Sequence, residues 1–183
     1  GRFILFGGSP LERIANTNDL DSRDLFVPSQ NVQHTRIVSD NNFVVKKSRL
    51  KINLAYQVNL RKEFGNPEDR EEKELFFDLK TFNYSLQWQL PGNLPAGRQV
   101  KEWHTTIGIN GMQQQNQNKG SEVLIPEYNL FDIGGFIYTQ RFFKKATFSG
   151  GLRFDNRSVN SNAFMDGAEI KFTAFSRSFT NIS

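Results

Sequence analysis

The sequence has no cysteine, which excludes disulfides and thiolate metal sites but locates nothing, because cysteine-free chains occur in many compartments. Its two histidines, His34 and His104, lie on separate segments with no Asp, Glu or His at ligand spacing, so neither points to a metal centre. No run approaches the roughly 20 apolar residues of a membrane-spanning helix. Helical spacing of apolar residues does not persist for more than a turn or two. A starting Met and a signal peptide are also missing, and the chain stops at Ser183 inside a strand-like run. We therefore expect a piece of a longer protein.

Aliphatic residues are scarce, whereas aromatics are abundant. The 183 residues include 18 Phe, yet only 37% are apolar. Many aromatics with few aliphatics favour strands. The net charge is +4, but Lys and Arg are interleaved with Asp and Glu instead of forming a basic stripe, which argues against nucleic-acid binding. The length fits one domain.

The segment from Asn129 to Arg157 reads as two extended arms joined by a tight basic turn at Lys144 and Lys145, an antiparallel hairpin. In its second arm Ala146, Phe148, Gly150, Leu152 and Phe154 share one face and Thr147, Ser149, Gly151, Arg153 and Asp155 the other. In the first arm Phe131, Ile133 and Ile137 share a face, with Phe136 and Tyr138 opposite.

Residues 1–31 carry Gly, Pro, Asp, Asn and Ser around short apolar islands and read as an irregular lead-in, with at most a short strand at the start. Residues 32–183 read as an antiparallel up-and-down meander of about seven strands, all-β, a curved segment of a transmembrane β-barrel. Leu50 to Arg61 has the strongest alternation: Leu50, Ile52, Leu54, Tyr56, Val58 and Leu60 against Lys51, Asn53, Gln57, Asn59 and Arg61. The second half of Leu75–Leu90 and the segment opened by Trp103 repeat it. We place a short turn at Lys46–Arg49 and an intermediate one at Pro91–Lys101. The long loops are Phe64–Glu74, Gln113–Pro126 and Ser158–Ala168, and Glu169–Phe175 begins a strand that the chain does not complete.

In a meander successive turns fall on opposite ends, so the long loops share one end and the short ones the other. Outer-membrane barrels show this asymmetry. Trp88, Trp103, Phe142, Phe143 and Phe148 lie next to the short-turn end and Phe64, Phe76, Phe77, Phe131 and Phe154 near the long-loop end, as two interfacial girdles would. The polar face is mostly Asn, Gln, Thr, Ser and Gly, unlike the Lys and Glu of a soluble surface. Two rivals remain open. One is a soluble β-barrel or β-sandwich binding a small ligand; the other is a β-sandwich carbohydrate-active enzyme.

EVLIPEYNLFDIGGFIYTQRFF followed by FSGGLRFDNR and preceded by TTIGINGMQQQNQNKG, together with LAYQVNLRKEFGNPED and ELFFDLKTFNY, resembles the barrel of TonB-dependent outer-membrane receptors of Gram-negative bacteria. The resemblance covers about residues 32–180 and is most specific from Glu122 to Arg157. It implies a receptor of the cell outer membrane that imports a scarce nutrient of the ferric siderophore, cobalamin or glycan class. Implied partners are outer-membrane lipid, the imported ligand and the TonB complex acting through a plug domain, with a surface lipoprotein as a further candidate. The plug, the TonB-contacting segment and the remaining strands are absent here, and GNLPAGRQV lengthens a turn that is usually tight. Seven strands cannot close a barrel of about 22.

No catalytic constellation accompanies the strands. Asp78, Asp132 and Asp155 carry no mark of a glycosidase pair. Residues 68–74 lack the alternating ligands and central Gly of a calcium loop. Gly134, Gly135, Gly150 and Gly151 are not followed by a helix, as a phosphate-binding loop would be. We expect no enzyme activity, no cofactor and no metal. Ligand contacts are expected from the polar face and the long loops, with Arg61, Asn110, Arg153 and Asp155 as the candidates.

Overall fold

The computed structural model describes residues 4–6, 12–23, 27–91, 103–143 and 145–183. Alternating apolar and polar side chains place one set on each side of an extended backbone, and these runs are long. Seven strands form one antiparallel sheet: β3 (Ser29–Val45), β4 (Ser48–Phe64), β5 (Leu75–Gln89), β6 (Trp103–Asn118), β7 (Tyr128–Phe142), β8 (Thr147–Ser161) and β11 (Phe175–Ile182). They lie in the order β11-β8-β7-β6-β5-β4-β3, so each pairs with its neighbour in sequence except where a small hairpin intervenes between β8 and β11. The chain is all-β and its meander has the expected number of strands.

Outside the sheet stand two short pairs, β1 (Ile4–Phe6) with β2 (Glu12–Ile14) and β9 (Phe164–Asp166) with β10 (Glu169–Phe172), and one helical turn, α1 (Thr17–Asp21). The lead-in is therefore more ordered than its composition indicates. Asn16 caps α1 by accepting from the Asp19 N–H, and the Asp19 carboxylate accepts from the Asn16 N–H in return. Arg13 closes on the same carboxylate at 2.5 Å and holds Asp19 well below the usual carboxylate range, at about 2.

Register makes the two faces explicit. One row crosses the whole sheet as Asp40, Asn53, Ser85, Asn110, Gly134, Asp155 and Asn181. The adjacent row, facing the other way, reads Asn41, Ile52, Leu86, Ile109, Gly135, Phe154 and Ile182. Leu54 and Leu86 are exposed, and Leu152 is 68% exposed. Ile52 and Ile107 are half-buried by their neighbours within the sheet. Among the described residues no second layer covers them. Buried on the opposite side are Thr81 at 2%, Asn116 at 5% and Ser161 at 5%, with Ala55 and Leu75 at 9% each. Soluble domains bury the apolar set, so this distribution is inverted.

Connections alternate between the two ends of the sheet as a meander requires, but not strictly in length: residues 90–102, between β5 and β6, lie at the same end as the two-residue turn and outnumber those of 65–74 and 119–127. Residues 46–47 make a two-residue turn with Lys46 at φ 55, the positive value that the primed hairpin turns use. Residues 65–74, 119–127 and 162–174 make the connections at the other end. The expected turns at Pro91–Lys101 and Lys144 fall largely outside the described residues.

Several expectations need correction. Gln113–Asn118 belongs to β6, not to a loop, because its backbone pairs in register with Phe77–Phe82 and Gln114 donates to the Thr81 hydroxyl. Asn and Gln are poor strand formers alone, but a long partner strand overrides that preference. Residues 158–161 likewise extend β8, and Glu169–Phe172 folds back on β9; the seventh strand of the sheet is the separate segment β11. Phe154 sits at mid-height opposite Gly135 instead of in an end girdle, while Phe77 and Phe142 point to the polar side.

Candidate functional site

The central strands β6, β7 and β8 bring three of the four proposed residues together on the polar face. Asn110 pairs with Gly134, and Gly134 pairs with Asp155, so all three share one row. Arg153 stands one step along β8 on the same side. Its guanidinium donates to both Asp155 oxygens, at 2.6 and 2.5 Å, and to Asn110 Oδ1 at 3.1 Å. This two-point geometry fixes the plane of the guanidinium.

Gly134 is what makes room for it. A Cβ there would run into the Asp155 carboxylate and lie 2.7 Å from Arg153 Nη2, so any side chain at this position displaces the pair. Next to it, Asp132 and Arg157 face each other in register, with Arg157 Nη2 2.5 Å from Asp132 Oδ2. The Tyr84 hydroxyl donates to the Asp132 backbone carbonyl at 2.9 Å, crossing over Gly111 to reach it. A cavity of about 730 Å³ opens here, bordered by Asn83, Asn110, Asp132, Arg153, Asp155 and Phe179. A second one, of about 570 Å³, opens further along the same face between Arg36, Asn53, Asn83 and Arg153.

Arg61 does not join this group. It lies at the loop end of β4, where its guanidinium donates to Glu63 Oε1 at 2.6 Å, an oxygen that Gln30 also reaches at 2.9 Å. His34 approaches Asn59 at 3.3 Å, and the His104 ring packs against Phe142. No group of three or more His, Asp or Glu close enough to hold a metal occurs among the described residues.

Asp132 and Arg157 were not singled out from the sequence, yet the signal was there. A turn centred on Lys144 and Lys145 sets Asp132 opposite Arg157 and Gly134 opposite Asp155 by counting back along the two arms. Phe179 could not be found this way, since the strand-like run ending at Ser183 was begun at Glu169 and given no pairing partner.

Chemically the arrangement is suited to holding a polar ligand. Two guanidinium groups and two carboxylates balance in charge, and the cavity adds the amides of Asn83 and Asn110 and the ring of Phe179. Both carboxylates are engaged by Arg side chains, Asp155 by Arg153 and Asp132 by Arg157. Compared with known protein families, curated proteins and solved structures, the chain matches none. No helix among the described residues is long and apolar enough to cross a membrane, a fact that says nothing of crossing by strands.

Proposed function

We propose that this chain forms part of the transmembrane barrel of a TonB-dependent outer-membrane receptor that imports a scarce nutrient of the ferric siderophore, cobalamin or glycan class. The observation that carries the reading is the polarity of the sheet: most exposed large apolar side chains of β4 to β8 share one face, while Thr81, Asn116 and Ser161 are buried on the other. Along β4 the apolar face carries Leu50, Ile52, Leu54, Tyr56, Val58 and Leu60, ten residue steps. At about 3.4 Å per residue and the tilt usual in barrels, that is an apolar band of about 25 Å, the height of a bilayer's hydrocarbon core in such proteins.

The aromatic residues at the short-turn edge of the band support the same reading. Trp103 meets Phe148 edge-on at 6.3 Å, and the Arg141 guanidinium lies 5.5 Å from the Trp103 ring. Aromatic rings with a cation beside them suit the headgroup level, where one part of the side chain is apolar and the other wet. In this reading the polar face lines the lumen, the Asn110–Arg153–Asp155 group takes part in recognition, and the long connections face outside the cell. Energy comes from the TonB complex through a plug domain that this chain does not include.

Detergent dependence tests the membrane assignment: the chain is expected to stay folded and monomeric only in micelles or bilayers. A cooperative, monomeric unfolding transition in plain buffer contradicts it. For recognition, uptake of labelled ferric siderophores, cobalamin and oligosaccharides is compared in cells producing the receptor with or without Arg153→Ala. Loss for one class at unchanged receptor abundance supports the assignment, and unchanged uptake of all three removes Arg153 from recognition.

A further inference from the structure

The apolar face does not stay apolar to its loop end. Two residues beyond Phe82 and Tyr56 its rows turn cationic, and the cations are arranged. Lys62 pairs with Phe76 across β4 and β5, and Phe76 is joined in turn to Lys119 by the Lys119 N–H donating to the Phe76 carbonyl at 2.8 Å. All three side chains therefore stand side by side on the outward face. The Lys62 ammonium lies 5.2 Å and the Lys119 ammonium 5.7 Å from the centre of the same Phe76 ring, so the two charges are no more than about 11 Å apart.

Beneath them is Asp78, its side chain only 5% exposed, with Lys119 Nζ at 2.5 Å and Lys80 Nζ at 3.6 Å. Asp78 Oδ1 is buried without a hydrogen-bond partner. This one carboxylate steers two of the lysines but neutralises only one charge of three. Two positive charges remain on a surface whose next rows toward the middle of the sheet are Leu60 with Asp78 and Val58 with Lys80, followed by Tyr56 with Phe82 and Leu54 with Tyr84.

We propose that the Lys62–Phe76–Lys119 row, with Lys80 beside it, is a docking site for a phosphorylated lipid headgroup at the loop-side edge of the apolar band. The inference rests on the membrane reading above, because only there does this height coincide with headgroups. Ammonium groups held over an aromatic ring meet a phosphate, while the acyl chains below lie along Tyr56 and Phe82. A soluble phosphate would have no use for those adjoining rings, which is why the lipid-borne anion is the occupant.

The test uses the full chain in detergent micelles and native mass spectrometry with two probes, a diphosphorylated acyl-glucosamine disaccharide and phosphatidylcholine. The phosphorylated lipid is expected to be retained at least about tenfold better, a preference abolished by Lys62→Glu and kept by Lys62→Arg. Lys62 does not touch Asp78, so this change leaves the buried carboxylate paired. Lys51→Glu, an equal charge change on the polar face of the same strand, is expected to leave retention unaltered.

Equal loss in Lys62→Glu and Lys51→Glu, or no loss in either, overturns the site. Displacement of the lipid by inorganic phosphate at matching concentration overturns the choice of a lipid over a free anion. A parallel arm separates this from the reading beneath it: brominated phosphatidylcholine is expected to quench Trp88 and Trp103 in every variant. Quenching without a lysine effect overturns the headgroup site alone, and absence of quenching overturns both.

Discussion

The two faces of this sheet use the same strands and nearly the same number of residues, yet they solve opposite problems. On one, polar groups are crowded enough that Thr81 is 2% exposed, and they satisfy one another: Gln114 donates to Thr81 and receives the Tyr128 hydroxyl, while Arg153 ties β8 to β6. On the other, Ile109, Leu152 and Phe154 stand exposed with no layer over them. Hydrogen bonds keep a polar face together in any surroundings, whereas an apolar face has to be covered by something. The difference teaches that the inner strands are satisfied in their own bonding, whereas the apolar face and the edges at β3 and β11 stand open among the described residues.

The contrast can be broken most sharply at mid-height. Ile109→Lys is expected to cost about 2–4 kcal/mol in a phospholipid bilayer, as a cation at the middle of a barrel's lipid face does. Asn110→Lys, one residue on, is expected to cost less than about 1 kcal/mol because it meets water. Guanidinium unfolding of the chain in vesicles measures both, and equal costs would erase the distinction between the faces.

A second pair of neighbours sharpens it. Gly134→Val forces apart Asp155 and Arg153 and is expected to destabilise by about 1–3 kcal/mol. Gly135→Val places its Cβ in ordinary van der Waals contact, with the nearest atoms at 3.9 and 4.0 Å, and is expected to be neutral or stabilising by up to about 1 kcal/mol, since Val suits a strand. The same unfolding experiment decides between them.

Smaller still is the Asp132–Arg157 pair, which solvent screens because the Arg157 side chain is 51% exposed. Asp132→Asn is expected to cost roughly 0.2–1 kcal/mol, and the loss should shrink in high salt.

The smallest effect lies outside both faces, in the lead-in. Asp19 is held low first by the hydrogen bonds from Arg13 and then by the Asn16 N–H. Its contribution is therefore present above the ordinary carboxylate pKa of 3.8 and is lost as pH falls through about 2. Titration of the Asp19 carboxyl by NMR is expected to show that low midpoint, and α1 should fray with it. The sheet should not respond.

How much of this was legible beforehand depends on what alternation encodes. Period two assigns a face, so Leu50 to Arg61 and Ala146 to Asp155 could be sorted correctly one residue at a time. It carries no information on height or partner, which is why Phe154 was placed at an end and found at the middle. Height follows from register, and register from the turns; the Lys144–Lys145 turn was recognised, so Asn110, Arg153 and Asp155 fell on one wall. Arg61 shared their face but stood too far along β4 to join them. Gln113–Asn118 and residues 158–161 were missed because polar strands look like loops until a partner strand supplies their hydrogen bonds, and the last strand was started at Glu169 instead of Phe175.

The absence of cysteine makes the central claim open to a direct test. Ile109→Cys and Asn110→Cys place single thiols one residue apart on opposite faces, and a membrane-impermeant maleimide reads their access to water in bilayer vesicles. The account predicts fast labelling at position 110 and protection at position 109 that disappears on unfolding. Fast labelling at position 109, or protection at 110 alone, would contradict it.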